Sequence, residues 1–138
     1  MLRSLHIRDY ALIEGLSIEF DSGLNIITGQ TGAGKSILVG AMEMIIGERA
    51  STEVVRSGAT KAVVEGVFEG ADIPPVEELL AENAIDARSD GELIMRREIR
   101  SQQSRAFIND TPGTVQLMRE IAGYLIDLHG QHGHQSLL

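Results

Sequence analysis

Gly29-Gln30-Thr31-Gly32-Ala33-Gly34-Lys35-Ser36 is a complete G-x-x-x-x-G-K-[ST] pattern, and it decides how the rest of the chain is read. Glycines let the backbone wind tightly around an anion, so that successive N–H groups point inward at phosphate oxygens. Lys35 supplies a mobile positive charge for the β- and γ-phosphates of a nucleotide, and the Ser36 hydroxyl is suited to Mg²⁺. A helix that starts here adds its positive dipole end to the same site. Residues 29–37, closing with Ile37, are the candidate nucleotide-binding segment; Lys35 is the candidate catalytic cation and Ser36 the candidate metal ligand.

The flanks fit the motif. Residues 24–28 (Leu-Asn-Ile-Ile-Thr) are apolar and β-branched, as expected of a buried strand entering the loop. From Ser36 onward, Ile37, Leu38, Ala41, Met44 and Ile45 recur at helical spacing, and Gly47 supplies a C-terminal stop. Periodicity predicts further strands over residues 2–8, 13–20, 61–68, 93–99 and 105–108. Pro74-Pro75 opens a short helix to about Asn83, whose Glu77, Glu78 and Glu82 read as a solvated face. Residues 109–113 read as a turn, Thr114 as the cap of a helix to about Gly123, and residues 124–128 as a strand or a helix end.

With 138 residues the chain can bury one core, as a single domain or one lobe of a larger one. Its 43% apolar and 23% charged content is that of a soluble globular protein. No stretch approaches the ~18 apolar residues of a membrane span. Charges interrupt residues 2–13, unlike a signal peptide. Cysteine is absent, which excludes disulfides and thiolate metal sites and fits the cytoplasm. A net charge of −8 argues against a uniformly basic DNA-binding module but leaves room for a local patch.

Arg96, Arg97, Arg100 and Arg105 with Glu98 form the one clearly positive stretch. It reads either as a contact to DNA phosphates or as a solvated hairpin paired with the surplus acids. The second is preferred, because no aromatic platform accompanies the charges. His129, His132 and His134 invite a metal, but the intervening glycines favour loop contacts around Gln131. A nucleotide hydrolase also needs a second acidic group on its magnesium. Only Asp127, after Tyr124-Leu125-Ile126, comes near that pattern, and Leu128 rather than Glu follows it. The residues alone therefore leave open a self-contained P-loop kinase or NTPase using Asp127, and a non-catalytic module that senses nucleotide.

Leu5-His6-Ile7-Arg8-Asp9-Tyr10-Ala11-Leu12-Ile13, the phosphate loop, Gly47-Glu48-Arg49-Ala50 and Asp127-Leu128-His129-Gly130-Gln131-His132 together resemble the RecN family of bacterial DNA repair proteins, which is similar to the SMC proteins. The resemblance covers essentially the whole chain. It implies an α/β P-loop NTPase in which residues 1–138 form the N-terminal half of an ABC/SMC-type ATPase head. The implied sheet is mixed, with a strand–loop–helix core and added antiparallel strands. The chain would stop before a coiled coil, and the signature motif and Asp-Glu pair would lie beyond it. Gln131 matches the family's Q-loop glutamine, implying a catalytic role and a reach toward Mg²⁺. Arg8 lies where related heads contact the nucleotide, and Arg49 near a phosphate-sensing arginine. The implied cofactors are ATP and Mg²⁺. The implied partners are the C-terminal half of the same head, a second head engaged on ATP binding, and DNA through the assembled protein, with no membrane. Double-strand break repair and recombination in the cytoplasm, at the nucleoid, is the implied function, with negligible hydrolysis by this chain alone.

Overall fold

The computed structural model describes residues 1–20, 32–50 and 52–128. The strand expected at residues 24–28 lies outside them. Six strands form one sheet: β1 (Leu2–Tyr10), β2 (Ile13–Glu19), β3 (Ala62–Phe68), β4 (Leu93–Ile99), β5 (Ser104–Ile108) and β6 (Thr111–Gly113). Their spatial order is β2-β1-β3-β4-β5-β6, and every pairing among them is antiparallel. Three helices, α1 (Gly32–Ile45), α2 (Pro74–Glu82) and α3 (Val115–Leu128), and a 3-10 turn at Thr52–Val54 complete the described elements.

Alternation along the strands determines which face is covered. In β4, Leu93, Met95, Arg97 and Ile99 are buried while Ile94, Arg96 and Glu98 are half-buried, the pattern of an antiparallel sheet with one packed face. Leu5 and Ile7 of β1, Val64 of β3 and Ile108 of β5 join that face. Against it lie Leu38, Ala41, Met42 and Ile45 of α1 and Met118, Ile121 and Leu125 of α3. Gly66, the register partner of Leu5, admits the close approach of α1, since a Cβ there would overlap Ile45 Cδ1.

The end of α1 follows from Gly47. Its φ of +92° is the left-handed conformation that stops a helix. Gly47 N donates to Met44 O at 3.3 Å and Glu48 N to Glu43 O at 3.0 Å, the paired bonds of a Schellman motif. The start of α3 is set by Thr114, whose Oγ1 accepts from Leu117 N at 2.9 Å.

One expectation changes, and of the two alternatives for residues 124–128 the helix end is the one found. Residues 111–113 form an edge strand, not part of a turn. The turn itself is Asn109-Asp110, with φ of 50° and 63°, which connects Ile108 to its register partner Thr111 as a two-residue hairpin. An edge position tolerates Pro112 because one side of the strand needs no ladder donor. Helix α3 runs on through Gly123 to Leu128. The buried stripe of Met118, Ile121, Ala122 and Leu125 outweighs the ~1 kcal/mol that one glycine costs a helix.

Candidate functional site

The helix after the phosphate-binding pattern begins inside that pattern, at Gly32, four residues before the start expected at Ser36. Residues 32–35 therefore contribute backbone to the first turn of α1, where the first four N–H groups have no intrahelical acceptor. An anion satisfies such donors and meets the positive end of the helix dipole. Ser36 is exposed in this turn, and Ile37 is half-buried and packs against the core. Gly29, Gln30 and Thr31, the side chains of Ala33 and Lys35, the surroundings of Gly32 and Gly34, and Gln131, His129, His132 and His134 lie outside the described residues.

Strand β1 ends in a bend that turns one side chain toward α1. Simple alternation from Ile7 would set Tyr10 on the same face as Arg8. Instead Asp9 takes a φ of 50°, and Tyr10 turns inward to 4% exposure. Short polar side chains tolerate this conformation best. The Tyr10 hydroxyl abuts α1, standing 2.9 Å from where a Cβ on Gly40 would be. Burial pushes the Tyr10 phenol above its ordinary value, and the charge of Glu43 pushes it further. The segment after α1 fastens the same bend: Ala11 N donates to Val54 O, and Arg56 N donates to Asp9 O at 2.9 Å. Arg56 is thus half-buried against β1, while Arg49 is exposed.

Arg8 is exposed on the sheet face opposite Ile7. It borders a groove of about 660 Å³ shared with His6, Ser17, Lys61 and Glu65, and none of the described side chains of α1 lines that groove. His6 Nδ1 lies 2.9 Å from Ser17 Oγ, and Lys61 is 3.4 Å from Glu98. The described residues bring Tyr10, rather than Arg8, against the helix that opens the phosphate loop.

The arginine-rich stretch divides by strand face. Arg97 does not reach solvent: it is 1% exposed, so it has no access to DNA. Its Nη1 donates to Met44 O at 2.8 Å and Glu48 O at 2.9 Å, while Nε and Nη2 donate to Ser104 Oγ at 3.1 and 2.6 Å. Burial, and then the charge of Arg119, lower its pKa from the usual guanidinium value. Arg119 of α3 donates to Gly47 O through Nε at 3.2 Å and Nη2 at 2.9 Å. Arg96 lies on the outer face, 2.6 Å from Asp110, 3.3 Å from Glu98 and 3.5 Å from Glu65. Burial depresses Arg96, but the Asp110 hydrogen bond and the three carboxylates outweigh it, and its pKa is raised. This is the hairpin paired with acids that the sequence favours. An aromatic does accompany it, contrary to expectation: the guanidinium lies 4.4 Å over the Phe107 ring.

Asp127 lies in α3 and not at a strand end, so the placement expected of a magnesium-binding acid in a self-contained NTPase is absent. Among the described residues no group of three or more His, Asp or Glu is arranged to hold a metal. No described helix is long and apolar enough to cross a membrane.

A family model for an AAA domain matches residues 4–123, which contain the loop, α1 and the sheet. The chain belongs to the AAA-domain family. Over its whole length it is 43% identical to the DNA repair protein RecN of Bacillus subtilis and 39% identical to that of Haemophilus influenzae. It spans 24% and 25% of those two relatives, about a quarter of their length. Among solved structures it is similar to an SMC head bound to the C-winged helix domain of ScpA, with a TM-score of 0.67 at 20% identity over 88% of this chain and 40% of that one. It is also similar to the recombination mediator RecF with ATP, with a TM-score of 0.61 at 16% identity over 91% of this chain and 31% of that one. The fold is that of the part of an SMC head that these residues cover.

Proposed function

We propose that residues 1–138 form the N-terminal half of a RecN-like ATPase head that acts in repair of DNA double-strand breaks, and that residues 29–36 are one face of a composite ATP site. The observation that carries this reading is the start of α1 at Gly32, inside a complete phosphate-loop pattern, in a chain 43% identical to a DNA repair protein. The first N–H groups of α1, which have no acceptor within the helix, fit the phosphates of ATP. Lys35 offsets charge on the β- and γ-phosphates, and Arg8 is a weaker candidate contact. Ser36, joined by Gln131, would hold Mg²⁺, which neutralises phosphate charge when bound. The groups that complete hydrolysis come from the C-terminal half of the head and from a second head across the nucleotide. ATP binding then engages two heads, and hydrolysis releases them, passing the nucleotide state to DNA bound by the assembly. Such an assembly works in the cytoplasm at the nucleoid.

The test compares ATP hydrolysis by this chain alone with hydrolysis after the rest of a RecN-type head is supplied. Negligible turnover alone, restored on assembly and lost in Lys35→Ala, is expected. Full turnover by the 138-residue chain alone would refute the composite site.

A further inference from the structure

We propose that Arg97 is a positioning residue for the nucleotide, because its buried guanidinium holds the C-terminal end of α1 and thereby the first turn of α1 at the phosphate loop. This inference rests on the nucleotide-binding reading above.

Arg97 is the largest fully buried side chain among the described residues, and it projects from β4 into the core. A buried cation is costly unless it is fully compensated. Among the described residues no carboxylate pairs with it. Its donors instead go to the Ser104 hydroxyl and to two carbonyls, Met44 O in the last turn of α1 and Glu48 O just beyond the helix. These oxygens lie at the negative end of the α1 dipole, where a cation is favoured. Arg119 holds Gly47 O between them. Met44, Gly47 and Glu48 are thus gripped from two other elements, β4 and α3. Ser104, the first residue of β5, orients the guanidinium plane.

A helix held at one end sets the place of the other. At 1.5 Å per residue, the 14 residues of α1 make a rod of about 21 Å, and a tilt of about 3° at the clamped end displaces the first turn by about 1 Å. Displacements of that size matter where N–H groups must converge on phosphate oxygens. Arg97 touches no nucleotide in this account; it acts through α1.

The test is Mg·ATP affinity by calorimetry on the protein, far below the melting midpoint of each variant so that every molecule is folded. Arg97→Lys keeps a charge but loses the planar fork, and Arg97→Met loses both. Dissociation constants are expected to rise about threefold and about tenfold respectively. Hydrogen exchange at the amides of residues 44–48 should rise in the same order without nucleotide. A folded Arg97→Met with wild-type affinity would overturn the proposal, since a purely structural arginine would lower stability alone. If Arg97→Met does not fold, Ser104→Ala takes its place. A loss of affinity of about twofold or more then supports positioning, and unchanged affinity overturns it. Absence of ATP binding by the wild-type protein sinks the nucleotide-binding reading and this one with it. Binding by the wild type with no response to these variants sinks this proposal alone.

Discussion

Replacing Gly47 with alanine tests how tightly α1 is closed against α3. Two costs act at this position. The φ of +92° places any L side chain in the left-handed region, at roughly 1–2 kcal/mol. The new Cβ would also stand 2.8 Å from N, Cα and Cβ of Arg119, two of them backbone atoms that have no rotamer to change. Forced overpacking of that kind costs about 1–3 kcal/mol. Alanine returns about 0.4–1 kcal/mol by restricting the unfolded chain, so the net loss should be about 1–5 kcal/mol. Gly58 is the matched control: its φ is +88°, yet nothing lies within 4 Å of a Cβ there. Gly58→Ala should therefore carry the conformational cost alone, between about zero and about 1.6 kcal/mol after the same offset. Urea unfolding of both variants, compared at unchanged m-value, reads the difference directly. Equal losses for the two glycines would refute the reasoning, because they would show that α3 does not press on the end of α1.

Thr114→Ala removes the acceptor for Leu117 N and should destabilise by about 1 kcal/mol in the same assay, with Thr114→Ser close to wild type. A neutral Thr114→Ala would mean that the cap contributes nothing to α3. Tyr10 should titrate above the ordinary tyrosine value in an absorbance titration. Its raised folded pKa gives stability that is complete below the unfolded value and lost as pH rises through the folded one. Glu43→Gln should lower the midpoint but leave it raised, because burial is the larger cause. A midpoint at the ordinary value in the wild type would contradict the packing of Tyr10 on α1.

Much of the fold can be read from the chain because local preference and tertiary packing agree. Period-two patterning locates β1 to β5, the helical spacing after Ser36 locates α1, and Gly47 and Thr114 act as the stop and the cap that their chemistry suggests. Where the two levels disagree, prediction fails. Asp9 breaks the alternation of β1, so Tyr10 turns inward although Arg8 points out. Pro112 and Gly113 look like turn residues, but the hairpin turn is built from Asn109 and Asp110 just before them. Arg97 is the instructive case. Its place in the inward register with Leu93, Met95 and Ile99 is visible in the sequence, but the presumption that arginine faces water overrides that signal. What a purely local reading lacks is the carbonyl end of a distant helix that makes burial of the cation tolerable.

The position of β1 between β2 and β3 bears on how the chain reaches its native state. Strands β4, β5 and β6 are joined by short turns, whereas Leu5 must find Gly66 across the whole intervening segment, which contains the phosphate loop and α1. Closing so long a loop costs entropy before any contact is gained, and pairings of this kind slow folding. The meander is expected to assemble first, and the β1–β2 hairpin to dock later, closing the chain around α1. The nucleotide-binding segment would then take shape in the slow closing step of folding. Substitutions in β1 or β3 that delay their pairing would be scored in cells as loss of function at the phosphate loop, although the mature site is untouched.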